Sequence, residues 1–197
     1  HPRDRRQRQM CIRDSFIGTY DNALKKEECE YIINFINTCI LIPGVVSNQK
    51  VMVEVKDSWD IPLDMNDKGN EVNNILFNSL VKYIEEYKKE HPQVDSINPW
   101  RYDPIYNLQK YNPGQGYHKL HCENISLHTS NRVMAWMFYL NTVTDGGNTY
   151  FENYDLTMNA IEGRLLIWPA YWTHFHKGVV SHTETKYIAT GWFNFTE

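Results

Sequence analysis

The spacing of apolar positions changes about halfway along this chain. From Leu24, the residues Cys29, Ile32, Ile33, Ile36 and Ile40 recur at three- and four-residue intervals, which predicts an amphipathic helix. Val72, Ile75, Leu76, Leu80, Tyr83, Ile84 and Tyr87 repeat the pattern, and Pro92, which lacks an N–H and clashes with a preceding turn, ends this second helix. Ahead of both, Phe16 to Tyr20 reads as a short strand. From Trp100 onward the apolar residues fall in short runs broken by Pro113-Gly114, Asp145-Gly146-Gly147, Glu162-Gly163 and Ser181-His182-Thr183, a succession of strands and turns. Val133 to Leu140 and Leu165 to Trp168 are continuously apolar, as expected of strands buried on both faces at the centre of the core. Between the helices, residues 41 to 68 hold Pro43, Gly44 and Pro62 around a β-like run, Val51 to Val55, and read as strand plus irregular loop. Within it, loop 43–68, with Trp59 and Asp60, is a candidate lid.

Helices first and strands afterwards predict a mostly β domain whose helices pack on one face of an antiparallel double sheet. A length of 197 residues suits one core. Residues 1–15 stand apart: they lack apolar periodicity, and RDRRQRQMCIRDS resembles translated sequencing-adapter read-through, so a non-native or disordered leader is expected, followed by a single domain over 16–197. That leader carries five arginines against two aspartates, a balance of +3, so a chain charge of −4 leaves −7 on residues 16–197. Such a balance argues against a phosphate backbone as partner, and with it against a nucleic-acid demethylase. No apolar run approaches the roughly 20 residues of a membrane span. The four cysteines, Cys11, Cys29, Cys39 and Cys122, form no C-x-x-C pair. A soluble, cytoplasmic protein in a reducing compartment is the expectation.

Candidate chemistry begins at His121-Cys122-Glu123, which lies in a strand-like segment where residues i and i+2 point to one side, so the imidazole and carboxylate can share an ion. A third ligand must come from elsewhere, and His174-Phe175-His176 offers two candidates. Two histidines and one carboxylate on one face of an octahedral ion leave three positions open, the arrangement of non-haem Fe(II) oxygenases, whereas a structural zinc site closes all four of its positions. An H-x-E pair alone is more often a solvated surface pair. Lys186 adds to it: in a strand, Lys186, Ile188, Thr190 and Trp192 face one side while Tyr187, Ala189 and Phe193 face the other. A lysine leading an inward face is costly to bury unless it meets an anion.

The segment from Tyr111 to Trp192 resembles the prolyl 4-hydroxylase-like branch of the Fe(II)/2-oxoglutarate-dependent dioxygenases. The resemblance rests on ordered motifs: Tyr111-Asn-Pro-Gly-Gln-Gly-Tyr117, His121-x-Glu123, Arg132 leading to Tyr139-Leu-Asn, Gly146-Gly-Asn-Thr149-Tyr-Phe151, Gly163-Arg-Leu-Leu-Ile-Trp-Pro, and His176 with Lys186 and Trp192. It implies a double-stranded β-helix, or jelly roll, supported by two to three helices. It implies His121, Glu123 and His176 as iron ligands, Lys186 as partner of the 2-oxoglutarate carboxylate, and Tyr139 as a second donor to that carboxylate. By the same resemblance Tyr111 and Thr149 line the cosubstrate pocket, while Arg132 and Trp192 lie near the substrate mouth. His174 is then a neighbouring hydrogen-bonded residue, and His118 is pocket lining or surface.

The implied reaction is hydroxylation of a C–H bond, first of a peptidyl proline and alternatively of a free amino acid or small molecule, with Fe(II), 2-oxoglutarate and dioxygen, and ascorbate as a further requirement to test. Two features depart from the family pattern. The carboxylate is Glu123 where Asp is usual, and the interval from tyrosine to histidine is one residue longer than in many prolyl hydroxylases. A halogenating relative lacks the carboxylate altogether, so Glu123 favours hydroxylation. A non-catalytic metal-binding jelly roll is the rival from another class, and its signature is a missing ligand or a missing lysine.

Overall fold

The computed structural model describes residues 15–46 and 50–196. The expected leader lies outside the described residues except for Ser15, which is fully buried. The N-terminal half supplies strand β1 (Gly18–Tyr20), helix α1 (Lys26–Thr38), strands β2 (Ile42–Pro43), β3 (Lys56–Asp57) and β4 (Trp59–Asp64), and helix α2 (Glu71–Glu90). Both helices fall where the periodicity places them. Asn70 caps α2 by accepting from the Val72 N–H, and Pro92 follows its last turn. Ile40 drops out of the expected helical stripe: it lies past the end of α1 and is 93% exposed.

Strands β5 (Trp100–Tyr102), β6 (Ile105–Tyr111), β7 (Gly116–Tyr117), β8 (Arg132–Tyr139), β9 (Thr149–Phe151), β10 (Leu156–Met158), β11 (Leu165–Pro169), β12 (His176–Gly178) and β13 (Lys186–Phe195) make up the rest. The main sheet runs β1-β11-β8-β13-β6-β4-β2, with β5 also on β13, and every pairing is antiparallel. A smaller sheet, β10-β9-β12, faces it, and β3 pairs with β7. This is the mostly β jelly roll with helical support, and β8 and β11 lie inside the main sheet as their apolar runs require.

Alternate residues along β8 serve two cores. Trp136 and Phe138 join Ile32, Ile36, Leu76 and Leu80 of the helices in one buried cluster. Ala135, Met137 and Tyr139 join Ile188 of β13, Leu166 and Trp168 of β11, and Phe151 and Met158 of the small sheet in the other. The second cluster is the inner lining of the jelly roll. Its face carries the site.

Two expectations for residues 41–68 need correction. Val51 to Val55 is not a strand: Val51 and Val53 are more than half exposed, with no neighbouring sheet to bury them. Nor is Trp59–Asp60 part of an irregular lid, because both belong to β4, registered on β6 with Asp60 opposite Gln109. Pro62 fits within this strand because β2 covers only Trp59 and Asp60, so from Pro62 onward β4 is an edge and the missing N–H leaves no carbonyl unpaired.

Candidate active site

His121 and His176 exchange both backbone hydrogen bonds in an isolated antiparallel bridge (2.9 and 2.8 Å), which sets their rings side by side with centroids 4.3 Å apart. The His121 segment is thus held by this bridge rather than by a full strand. Glu123 follows two residues later, its N–H donating to the Ala170 carbonyl (3.0 Å). Its Oε1 lies 3.5 Å from His121 Nε2 and 3.4 Å from His176 Nε2, and one donor atom from each of the three residues lies within 4.8 Å of the others.

The remaining atoms of these side chains are already engaged. His121 Nδ1 is 3.0 Å from the Lys119 carbonyl and His176 Nδ1 is 2.9 Å from the His174 carbonyl. A carbonyl only accepts, so each Nδ1 carries the proton and each Nε2 offers its lone pair inward. Glu123 Oε2 accepts from Trp192 Nε1 (2.7 Å) and lies 3.5 Å from Arg132 Nη1, while the Arg132 guanidinium stacks 3.6 Å from the centre of the Trp192 ring. Burial raises the Glu123 pKa, but the hydrogen bonds and charge that the two histidines bring when protonated outweigh it and hold the carboxyl well below its usual range. Burial, then the neighbouring His121, lower the pKa of His176 and keep it neutral. Two imidazoles and a carboxylate, each fixed from behind, form a donor set suited to Fe(II) and leave part of its coordination sphere to other ligands.

The cluster opens into a cavity of about 670 Å³ lined also by Tyr111, Tyr117, Met137, Thr149, Trp168 and Lys186. Lys186 opens β13 opposite Tyr111 of β6 and is only 7% exposed. Its Nζ lies 5.7 Å from the Tyr111 ring centre and 5.3 Å from that of Tyr139. Burial alone sets its ionisation, lowering the pKa to about 8. No carboxylate among the described residues compensates that charge, so the lysine is suited to an anionic ligand.

The structure therefore gathers His121, Glu123, His176, Lys186, Tyr111, Thr149, Arg132 and Trp192 around one cavity. Tyr139 stands behind the wall, its hydroxyl 2.6 Å from Thr149 Oγ1 and within hydrogen-bond reach of the Met158 carbonyl. His174 turns away, with Nε2 2.7 Å from the Ser15 carbonyl, and His118 is exposed. Sequence reasoning missed Tyr117, whose ring stacks on His121 at 3.7 Å, and the buried set Lys56, Ser58 and Gln109. Tyr117 ends the Tyr111-Asn-Pro-Gly-Gln-Gly-Tyr117 motif, whereas Lys56 and Ser58 have no apolar pattern to announce them.

A jelly roll that holds a two-histidine, one-carboxylate cluster beside a buried lysine defines a non-haem oxygenase. Residues 106–194, which contain the cluster and the lysine, match the 2OG-Fe(II) oxygenase superfamily, and together with the site they indicate a 2-oxoglutarate-dependent dioxygenase. No curated protein matches the chain. Among solved structures, the viral collagen prolyl hydroxylase of Paramecium Bursaria Chlorella virus-1 is similar at a TM-score of 0.70 and 18% identity, covering 92% of this chain and 97% of that one. A Trichoplax adhaerens prolyl hydroxylase, in complex with a peptide fragment of the hypoxia inducible factor oxygen degradation domain, gives 0.72 and 15% over 93% and 85%. A Pseudomonas putida prolyl-4-hydroxylase gives 0.70 and 13% over 94% and 96%. At these identities the likeness establishes the fold.

Proposed function

We propose that the protein hydroxylates a peptidyl proline, with His121 Nε2, Glu123 Oε1 and His176 Nε2 holding Fe(II) and Lys186 receiving the far carboxylate of 2-oxoglutarate. The observation that carries this reading is the meeting, in one cavity, of the metal-ligating cluster and a buried lysine without an anion of its own. Bound there, Fe(II) with 2-oxoglutarate and dioxygen supplies C–H hydroxylation coupled to decarboxylation of the cosubstrate to succinate. The protein's own part is orientation. The Lys119 and His174 carbonyls fix the imidazoles, Trp192 and Arg132 hold the distal oxygen of Glu123, and Lys186 fixes the cosubstrate by a charge-assisted hydrogen bond. Trp168 and Phe151 pack against His176 with ring centres 5.1 and 5.4 Å away and keep water from that side.

A proline within a peptide is favoured because the three prolyl hydroxylases share this fold, one of them with a peptide bound. The exposed apolar side chains Val45 and Ile125 also line the cavity and offer a surface suited to a peptide chain. The test has two stages. Anaerobic Fe(II) plus 2-oxoglutarate is expected to give a visible charge-transfer band that is absent from Glu123→Ala and weakened in Lys186→Ala. Succinate release, assayed with ascorbate present, is then expected to rise with proline-containing peptides. A rise with free proline alone would move the assignment to small-molecule hydroxylation, and bound iron without the band would remove 2-oxoglutarate from it.

A further inference from the structure

Outside the segment that matches the superfamily, strands β3 and β4 bring a buried ion pair to the cavity wall. Lys56 and Asp60 are each 5% exposed, their side chains are joined, and both line the cavity. Asp60 takes three donors: Lys56 Nζ and Gln109 Nε2 (3.4 Å) on Oδ2, and Ser58 Oγ (2.7 Å) on Oδ1. Two buried charges are costly to retain, and an apolar pair of similar volume often serves stability as well, so stability alone is a weak account of their presence.

The polarity of the next link follows from Asp60. Its carboxylate only accepts, so Gln109 presents its NH₂ to Asp60 and turns its carbonyl the other way. That carbonyl accepts the Tyr111 hydroxyl proton at 2.7 Å. The register makes the chain contiguous: Asp60 lies opposite Gln109, Tyr111 is two residues further on the same face of β6, and Lys186 lies opposite Tyr111. With its proton committed to Gln109 and its oxygen also engaged by Ser58, the Tyr111 hydroxyl is held in place, and its ring lies against Lys186, whose Nζ is 5.7 Å from the ring centre.

We propose that the Lys56–Asp60 pair is a positioning device for the cosubstrate pocket, acting through Gln109 to fix Tyr111 beside Lys186. This rests on the reading of Lys186 and Tyr111 as walls of the 2-oxoglutarate pocket. Removing one member of the pair strands a buried charge and risks unfolding, so the informative variant replaces both by apolar side chains of similar volume, Lys56→Met with Asp60→Leu. Gln109→Leu breaks the link and leaves the pair intact.

The readouts are melting temperature, Mn(II) affinity, and the dissociation constant of 2-oxoglutarate from the anaerobic Fe(II) titration. Tyr111→Phe, the pair variant and Gln109→Leu are each expected to raise that constant about tenfold, about the worth of one hydrogen bond that positions the tyrosine. Mn(II) affinity should stay unchanged. Combining Tyr111→Phe with either of the others should add nothing further. Additive losses would overturn the proposal by showing that the pair acts elsewhere than through Tyr111. A lower melting temperature with unchanged 2-oxoglutarate binding would overturn it in favour of a purely structural pair. If Tyr111→Phe and Lys186→Ala both leave 2-oxoglutarate binding unchanged, the reading of the pocket itself fails, an outcome distinct from the other two.

Discussion

Single side chains set the chemistry, and Lys186 offers the most direct test. Burial without a partner lowers its pKa to about 8. Below that pH the ammonium is ready for a carboxylate; above it, the neutral amine must take up a proton as the anion binds. Affinity for 2-oxoglutarate is therefore expected to fall by about tenfold per pH unit above about 8, since one unit of uncompensated protonation costs about 1.4 kcal/mol. Titrations across that range check it, and in Lys186→Met the slope should vanish while the affinity is weak throughout. Trp192 supports a second prediction. Its indole N–H holds Glu123 Oε2 and so keeps Oε1 turned to the histidines, which steadies a ligand one methylene longer than aspartate. Trp192→Phe retains the ring under Arg132 but loses that donor, and roughly a tenfold to hundredfold loss of metal affinity is expected by equilibrium dialysis.

At the scale of elements, the helices support the wall and do not touch the chemistry. Leu76 of α2 is fully buried in the cluster behind the main sheet. Leu76→Ala is expected to cost about 2–5 kcal/mol of stability by denaturant unfolding while 2-oxoglutarate affinity in the folded fraction stays within twofold. This division also explains what the sequence made legible. α1, α2, β8, β11 and β13 each bury a regular stripe or a continuous run, so periodicity finds them, and the H-x-E pair was found because two residues at i and i+2 reach one ion even in a single bridge. β4 was missed because Asp60 and Pro62 break its pattern: the aspartate is buried only by virtue of Lys56, Ser58 and Gln109, and the proline is tolerated only at an edge. Val51 to Val55 erred in the other direction, since β-branched residues mark a strand only where a neighbouring surface covers them.

For the molecule as a whole, the proposed ligands tie together parts that the chain builds separately. His176 opens β12 of the small sheet, Glu123 is anchored to Ala170 just past β11 of the main sheet, and Trp192 of β13 holds its far oxygen. A metal ion shared by His121, Glu123 and His176 therefore joins the two sheets across the inner core, and any ligand that binds the folded state alone stabilises it by mass action. At a concentration about a hundred times its dissociation constant that amounts to about 2.7 kcal/mol, or roughly 5–10 °C in melting temperature for a domain of this size. Mn(II), which keeps the donor preferences without the redox chemistry, should produce this shift in the wild type and not in His176→Ala. 2-Oxoglutarate should add a further rise only when the metal is present and Lys186 is intact, because it needs both anchors at once. A rise from 2-oxoglutarate alone would place its site away from the metal and separate the two halves of the cavity.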